Sequence, residues 1–273
     1  MDVFSDRVAV VTGGASGIGR AVSEALAKRG AEVTVADVNG AAAEDVARNI
    51  RTRGGRAQAR AVDVRDADAV QKLAADAAAA RGRIDYFFNN AGIAVMGEER
   101  DVSLDDWRRT IEIDLMGVVH GVRAVYPMMV KQGAGHIVNT ASVAGLIPAP
   151  LEASYGAAKF GVVGLSYALR AEGAALGVKV SVVCPGFIDT PILQNSPIRA
   201  SIERERLLAM IPWRMTPEGC ARVILDGVAK NRGTIVVTRH ARALWWLHRL
   251  SPDLSTHVAA RVVARFRSLA RRG

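Results

Sequence analysis

The sequence has few of the residues that form metal centres, disulfides or membrane spans. Only Cys184 and Cys220 occur among 273 residues, and they match neither a metal-binding nor a redox spacing. The five histidines are scattered, so we expect no catalytic metal. The first residues are too polar for a signal peptide, and no apolar run reaches the roughly 18 residues that a bilayer span needs. These absences predict a cytoplasmic protein.

Acidic residues are scarce between residues 239 and 273, where Asp253 is the single acid. Eight arginines lie in the same stretch and leave it with a charge of +7, out of a net +9 for the whole chain. These arginines are at positions 239, 242, 249, 261, 265, 267, 271 and 272. Apolar residues recur there at helical spacing, which predicts a basic helical extension. Such a helix can pack on its own protein or another subunit, or lie on an anionic membrane as a peripheral contact. We expect no nucleic-acid partner.

A glycine-rich segment follows the first apolar run of the chain. Residues 8–11 read Val-Ala-Val-Val, residues 12–19 read Thr-Gly-Gly-Ala-Ser-Gly-Ile-Gly, and helical periodicity begins immediately afterwards. In such a strand–turn–helix unit, Gly13 permits a tight turn, Gly17 lets a diphosphate approach the backbone, and Gly19 lets the helix pack closely. The N–H groups that begin the helix then face the anion. The segment therefore predicts nucleotide binding.

Tyr155 and Lys159 are separated by one helical turn, so their side chains share a face. The reference pKa of tyrosine is about 10, and a neighbouring ammonium favours the phenolate. Ser142 lies thirteen residues upstream and adds a hydroxyl that can hold an oxygen gaining negative charge. The three groups together suit proton transfer to or from an alcohol or carbonyl oxygen.

Apolar and helical periods alternate along the chain and predict an α/β fold. Strands are expected at 7–11, 32–36, 57–62, 84–89, 135–140, 178–183 and 234–238. Helices are expected at 17–29, 40–53, 66–81, 103–131, 154–176 and 216–231. This order predicts a doubly wound Rossmann fold with a seven-stranded parallel sheet and helices on both faces. We expect residues 1–238 to form one dinucleotide-binding and catalytic domain.

The spacing Gly-x-x-x-Gly-x-Gly, together with Ser142, Tyr155 and Lys159, resembles the short-chain dehydrogenase/reductase superfamily. The resemblance covers roughly residues 5–238 and includes Asn-Asn-Ala-Gly at 89–92 and Pro-Gly at 185–186. It implies hydride transfer between a nicotinamide cofactor and an alcohol or ketone. Tyr155 would be the acid/base, and Lys159 would stabilise the phenolate and hold the nicotinamide ribose. Ser142 would donate to the substrate oxygen. Homodimers or homotetramers are common in this superfamily.

The resemblance also implies a set of cofactor-binding residues. They are Gly13, Ser16, Gly17, Ile18, Gly19, Asp37, Asp63, Val64, Asn90, Ala91, Gly92, Tyr155, Lys159, Pro185, Gly186, Ile188 and Thr190. Asp37 ends the second strand, where a carboxylate accepts hydrogen bonds from ribose hydroxyls and repels a 2′-phosphate. The sequence therefore favours NAD over NADP, with Arg20 and Asn39 as the nearest residues that could serve NADP.

One position departs from the family pattern. Members usually carry asparagine where this chain has Asp114, and that asparagine helps to hold a water connecting the lysine to solvent. An ionised carboxylate accepts hydrogen bonds but donates none. Asp114 can still hold this water, or it can stabilise the lysine cation and change the pH at which Tyr155 works, so we expect it to take part in catalysis.

Residues 189–215 interrupt the alternating pattern. The resemblance implies a substrate lid there, and an irregular surface insertion is the alternative. Apolar residues dominate the expected substrate site and favour a lipophilic alcohol or ketone: Val95, Met96, Val143, Leu146, Ile147, Phe187, Leu193 and Met210. A different function is compatible with the same fold, namely a nucleotide-binding sensor or scaffold with little catalysis.

Overall fold

The structure is a computed structural model that describes residues 2–199, 204–208 and 214–270. The predicted positions Met210, Arg271 and Arg272 lie outside these residues. The strands are β1 Val8–Thr12, β2 Glu32–Asp37, β3 Arg56–Ala61, β4 Tyr86–Asn89, β5 Met96–Gly97, β6 Gly135–Thr140, β7 Val178–Cys184, β8 Ile198–Arg199 and β9 Thr234–Val236. The helices are α1 Gly17–Lys28, α2 Gly40–Thr52, α3 Ala67–Ala79, α4 Leu104–Ile111, α5 Gly117–Gln132, α6 Ala153–Gly173, α7 Pro191–Asn195, α8 Arg204–Leu208, α9 Pro217–Ala229, α10 Arg239–Leu250 and α11 Pro252–Ala270.

Seven strands form one parallel sheet in the order β3-β2-β1-β4-β6-β7-β9. The chain begins in the middle of the sheet, runs outward to β3 and then crosses to β4 on the other side of β1. This reversal of direction creates a crevice at the carboxyl ends of β1 and β4, where doubly wound folds bind ligands. The predicted fold class and seven-stranded sheet are confirmed.

Apolar residues on the two faces of the sheet form two separate cores. One core joins α3, α5 and α6 to the sheet through residues such as Leu73, Val125 and Val162. The other joins α1, α2 and α9 through residues such as Leu26 and Ile224. The central strand β1 is buried along its whole length, and its alternate side chains pack into one core and then the other. The crevice therefore lies at the edge of a rigid, doubly covered sheet.

The helix predicted over 103–131 is interrupted at a place that no residue pattern marked. Residues Glu112–Met116 form a π turn between α4 and α5, and Asp114 lies inside this turn. With the turn included, 104–132 is a 29-residue helix that is long and apolar enough to cross a membrane by composition. The structure instead packs α5 against α3 and the sheet.

Residues 189–215, the predicted lid, contain three described short elements that the sequence did not predict: α7, β8 and α8. Its strand β8 pairs with β5, the strand that follows the crevice loop, and Arg199 forms an ion pair with Asp106 of α4 at 2.8 Å. A hydrogen bond from the Arg199 guanidinium lowers the pKa of Asp106 to about 2. The described part of the lid is thereby held to the body at β5 and at α4.

The basic C-terminal segment forms α10 and α11 and touches the body at both ends. Ala241 is fully buried and Trp245 packs against the α5–α6 core. Near the other end, Phe266 is buried, and the Arg267 guanidinium pairs with the Glu98 carboxylate at 2.6 Å. The division of the chain into a domain ending at 238 and an extension after it stays a prediction.

Candidate active site

The glycine loop after β1 has the backbone geometry that a phosphate cradle requires. Gly13 and Gly17 have φ angles of 62° and 50°, which L side chains rarely adopt. A Cβ at Gly19 would overlap the Gly13 carbonyl oxygen and lie 2.6 Å from Asn90 Nδ2. Ser16 begins α1 in an extended conformation and Ile18 follows it in the first turn. These residues fit a diphosphate at the start of a helix.

The loop after β4 is held against the glycine loop. Asn90 Nδ2 donates to the Thr12 carbonyl at 3.1 Å, and the Ala91 N–H donates to the Thr12 hydroxyl at 3.2 Å. The next residue, Gly92, has no room for a side chain, because a Cβ there would lie 3.1 Å from Asp114 Oδ2 and 3.3 Å from Lys159 Nζ. This loop therefore connects the phosphate cradle with the predicted catalytic residues.

Lys159 and Asp114 form a buried ion pair, with Nζ 3.0 Å from Oδ2 and both side chains almost completely inaccessible. Asp114 Oδ1 also accepts the Ile93 N–H at 2.9 Å, and Lys159 Nζ donates to the Thr140 carbonyl at 3.1 Å. The π turn brings Asp114 to this position, and such turns are frequent at functional sites. Burial outweighs the lysine charge and raises the pKa of Asp114.

Tyr155 lies beside this pair, with its ring centroid 5.4 Å from Lys159 Nζ. Burial raises the pKa of Tyr155 above its ordinary value, and the carboxylates of Asp114 and Glu152 raise it further, whereas a hydrogen bond with Ser142 lowers it. The expectation that Lys159 makes Tyr155 more acidic stays a prediction. In the structure, Lys159 Nζ pairs with the Asp114 carboxylate 3.0 Å away.

Ser142 is oriented to donate a hydrogen bond. It lies in extended conformation before the turn Val143–Gly145, and its Oγ accepts the Ala144 N–H at 3.1 Å. An oxygen that accepts from a backbone N–H keeps its own O–H free to donate. A Cβ at Gly145 would lie 2.5 Å from the Lys159 carbonyl, so this glycine lets the serine turn pack directly on α6.

The remaining predicted residues complete the rim of the crevice. Pro185 O accepts the Val143 N–H at 2.8 Å, which places the end of β7 beside the serine turn. Ile188 is buried and pairs with Met215, and Thr190 lies against Gly17 across the crevice. Gly186 packs against the start of α10, because a Cβ there would meet Thr238 Oγ1 and His240 Nε2.

Two acidic residues line the adenine side of the predicted cofactor site. Asp37 accepts the Ala15 N–H at 3.1 Å through Oδ2 and the Asn39 N–H at 3.0 Å through Oδ1. Asp63 pairs with Arg65 at 2.5 Å, and this hydrogen bond lowers the pKa of Asp63. Val64 is buried, and its carbonyl oxygen accepts a hydrogen bond from His120 Nδ1 at 2.9 Å. Asp37 thus directly adjoins the glycine loop.

Several residues expected at the substrate site have other roles. Val95 and Leu146 are buried in the body, whereas Phe187 is 40% exposed and stacks on His240 with ring centroids 5.7 Å apart.

The sequence analysis did not identify Glu152 as a residue near the site. Glu152 lies one turn before Tyr155 and is close enough to influence its pKa. Its spacing of three residues from a candidate acid/base was the available signal.

Comparison with known proteins agrees with this geometry. The chain is 35% identical over 271 residues to the SadH protein of Mycobacterium tuberculosis, covering 97% of this chain and 98% of that one. It is 42% identical over 204 residues to a cis-4-hydroxycyclohexanecarboxylate dehydrogenase of Sinomonas cyclohexanicum, covering 74% of this chain and 82% of the relative.

A solved structure shares the same fold. The short chain dehydrogenase/reductase of Burkholderia phymatum in complex with NAD superimposes with a TM-score of 0.84 and 33% identity, covering 93% of this chain and 96% of that chain. The family described as short chain dehydrogenase matches residues 7–200, which include the glycine loop and the Ser142, Tyr155 and Lys159 cluster. The resemblance inferred from these motifs is confirmed, and the chain belongs to the short-chain dehydrogenase family of oxidoreductases.

Proposed function

We propose that the protein interconverts a secondary alcohol and a ketone with NAD(H), and that Tyr155 exchanges the proton. The observation that carries the proposal is the packing of Ser142, Tyr155 and Lys159 around the end of the same crevice that the glycine loop lines. The relative from Sinomonas cyclohexanicum, named for a hydroxycyclohexane substrate, supports an alicyclic alcohol.

Each polar group has a role in this reaction that follows from its contacts. Ser142 donates its O–H to the substrate oxygen, where negative charge develops in the transition state. Tyr155 receives the alcohol proton in oxidation and returns it in reduction. Lys159 uses two of its three N–H donors on Thr140 and Asp114 within the described residues, which leaves one for a ribose hydroxyl. When bound, NAD+ supplies the hydride acceptor and a positive ring charge that favours a phenolate.

The surroundings of Asp37 support NAD rather than NADP. Of the two residues that could attract a 2′-phosphate, Arg20 pairs with Glu24 at 2.9 Å. Asn39 carries no charge, and its side-chain oxygen accepts the Ala42 N–H. The Asp37 carboxylate adjoins the loop and would repel the extra phosphate. The NAD-bound relative from Burkholderia phymatum supports the same choice.

Initial rates of reduced-cofactor formation with NAD+ and with NADP+ test the proposal on a panel of secondary alcohols that includes cyclohexanol. We expect turnover with NAD+ to exceed that with NADP+ by at least about tenfold in kcat/KM, since charge repulsion of about 1.4 kcal/mol has this effect. Asp37→Asn should reduce the ratio of kcat/KM with NAD+ to kcat/KM with NADP+. A protein that binds NADH but oxidises no alcohol and reduces no ketone would favour the sensor or scaffold function.

A further inference from the structure

His240 lies in the first turn of α10 and contacts the loop that follows β7. Its Nε2 accepts the Phe187 N–H at 3.3 Å, and the two rings stack with centroids 5.7 Å apart and planes at 23° to each other. A Cβ at Gly186 would collide with the same Nε2. One side chain of the C-terminal extension therefore meets two successive residues of this loop.

These contacts require a neutral His240 ring. The Phe187 N–H can only donate, so Nε2 must be an unprotonated acceptor and the ring proton is on Nδ1. The Thr238 hydroxyl is 3.1 Å from the same Nε2 and therefore donates to it, while its oxygen accepts the Ala241 N–H as the cap of α10. Partial burial lowers the pKa of His240, which favours the neutral form.

The loop after β7 joins the serine turn to the phosphate cradle. At its start, the Pro185 carbonyl accepts the N–H of the residue after Ser142 at 2.8 Å. At its end, the methyl group of Thr190 lies 3.1 Å from the position of a Cβ on Gly17. The loop therefore runs along the crevice from the predicted catalytic hydroxyls to the predicted diphosphate site.

Different parts of the chain hold the two halves of this loop. The Phe187 carbonyl accepts the Met215 N–H at 3.0 Å, and the Asp189 N–H donates to the Met215 carbonyl at 2.9 Å. These bonds hold the second half of the loop, whereas His240 holds the first half, which is nearer to Ser142. A change at His240 should therefore move the half beside the serine turn and leave the other half in place.

We propose that His240 is a positioning residue for the cofactor, which keeps residues 185–187 in place to bind the nicotinamide half by accepting the Phe187 N–H. This inference rests on the proposed function, because hydride transfer beside the Tyr155 hydroxyl requires the nicotinamide ring at this end of the crevice. The adenosine half belongs beside Asp37 and the glycine loop. Removing the His240 acceptor should therefore weaken the binding of one half of the cofactor.

Equilibrium titrations with NADH, and with ADP-ribose, which lacks the nicotinamide ring, test the inference in the wild type, His240→Leu and His240→Gln. One lost hydrogen bond corresponds to about tenfold in affinity, so NADH should bind His240→Leu about tenfold more weakly, and ADP-ribose should change by less than about twofold. The glutamine amide oxygen can replace Nε2 as acceptor, so His240→Gln should bind both ligands within about threefold of the wild type. His240→Ala removes the same acceptor and should reproduce the leucine result.

His248→Leu is the matched control. His248 is half-buried on the same helix, but its Nδ1 bonds to the Ser255 hydroxyl of α11 at 2.7 Å. Both ligands should bind this variant as they bind the wild type. An unchanged NADH affinity in His240→Leu, an equal loss for both ligands, or a loss in His240→Gln as large as in His240→Leu would overturn the inference.

The titrations also separate this inference from the proposed function. A wild type that oxidises none of the alcohols would refute the proposed function, and the two affinities would still decide the role of His240. A wild type that binds NADH no more tightly than ADP-ribose would overturn the inference, because the loop would then add nothing to nicotinamide binding.

Discussion

Replacing Asp114 by asparagine tests how the charge of this carboxylate affects the pKa of Tyr155, the proposed acid/base. The Asp114 carboxylate is 3.0 Å from Lys159 Nζ, which in turn lies 5.4 Å from the Tyr155 ring centroid. The carboxylate is therefore within roughly 8 Å of the ring, where a unit charge contributes about 2 kcal/mol at an effective dielectric constant of about 20. Because this negative charge raises the pKa of Tyr155, its removal should lower that pKa by about 1 to 2.

Alcohol oxidation requires the phenolate, so the rate rises as Tyr155 loses its proton. We expect the midpoint of the pH dependence of kcat/KM in Asp114→Asn to lie about 1 to 2 pH units below that of the wild type. In the wild type the Ile93 N–H donates to Asp114 Oδ1 at 2.9 Å. The asparagine keeps an oxygen that can accept this hydrogen bond, so the loop after β4 should hold its conformation. The assay is the initial rate of NADH formation measured across the pH range.

Asp105→Asn is the control for this experiment. Asp105 lies on the same long helix, but its side chain is 90% exposed and pairs with Arg108 on the surface. Solvent screens such a charge, so the pH midpoint should not move. A midpoint that stays unchanged in Asp114→Asn, or moves to higher pH, would refute the argument that this carboxylate holds the phenol protonated.

Three further predictions concern backbone space, a buried charge and the C-terminal surface. Gly19→Ala should weaken NADH binding by at least about 100-fold in equilibrium titration, because a Cβ there overlaps the glycine loop. A Cβ at Gly164 in α6 meets nothing within 4 Å, so Gly164→Ala should raise the free energy of unfolding by about 0.5–1 kcal/mol. Folding raises the pKa of Glu152 from 4.5 to about 7, so the contribution of this group to stability is present at low pH and is lost as the pH rises through 7. In denaturant unfolding, the free energy of unfolding of Glu152→Gln should equal that of the wild type at pH 4.5 and exceed it by about 1–2 kcal/mol at pH 8. Equal free energies of unfolding at pH 8 would contradict this. Leu250 and Leu254 are 80% and 51% exposed beside basic residues, so replacing both by serine should reduce co-sedimentation of the protein with anionic vesicles. Equal co-sedimentation of the wild type and the double variant would contradict a membrane contact through these leucines.

Local patterns in the sequence were sufficient to predict the sheet and its crevice. Alternation of apolar strands with amphipathic helices predicted the parallel order. The glycine spacing predicted a tight turn at Gly13 and close backbone approach at Gly17, and both residues have positive φ angles. The four-residue interval predicted that Tyr155 and Lys159 would share a face, and their side chains do lie together. Each of these features depends on residues close to one another along the chain.

The features that escaped prediction depend on contacts between distant residues. The pairing of Lys159 with Asp114 requires a π turn that no residue type marks, and it gives the buried lysine an acidic partner. The ion pair of Arg199 with Asp106 joins residues 93 positions apart and is equally invisible in sequence. Glu152 was overlooked because a single acid before a helix ordinarily indicates a helix cap, yet it caps nothing here.

The central claim is that the Tyr155 hydroxyl carries the proton of the reacting alcohol. Tyr155→Phe removes this oxygen and leaves the ring in place. Measured on the same preparation, the affinity for NADH should therefore be kept while alcohol turnover is lost. The account predicts a dissociation constant for NADH within about threefold of the wild type and a fall of about 10²–10⁴-fold in kcat/KM for the best alcohol. Turnover by the phenylalanine variant at the wild-type rate would contradict it.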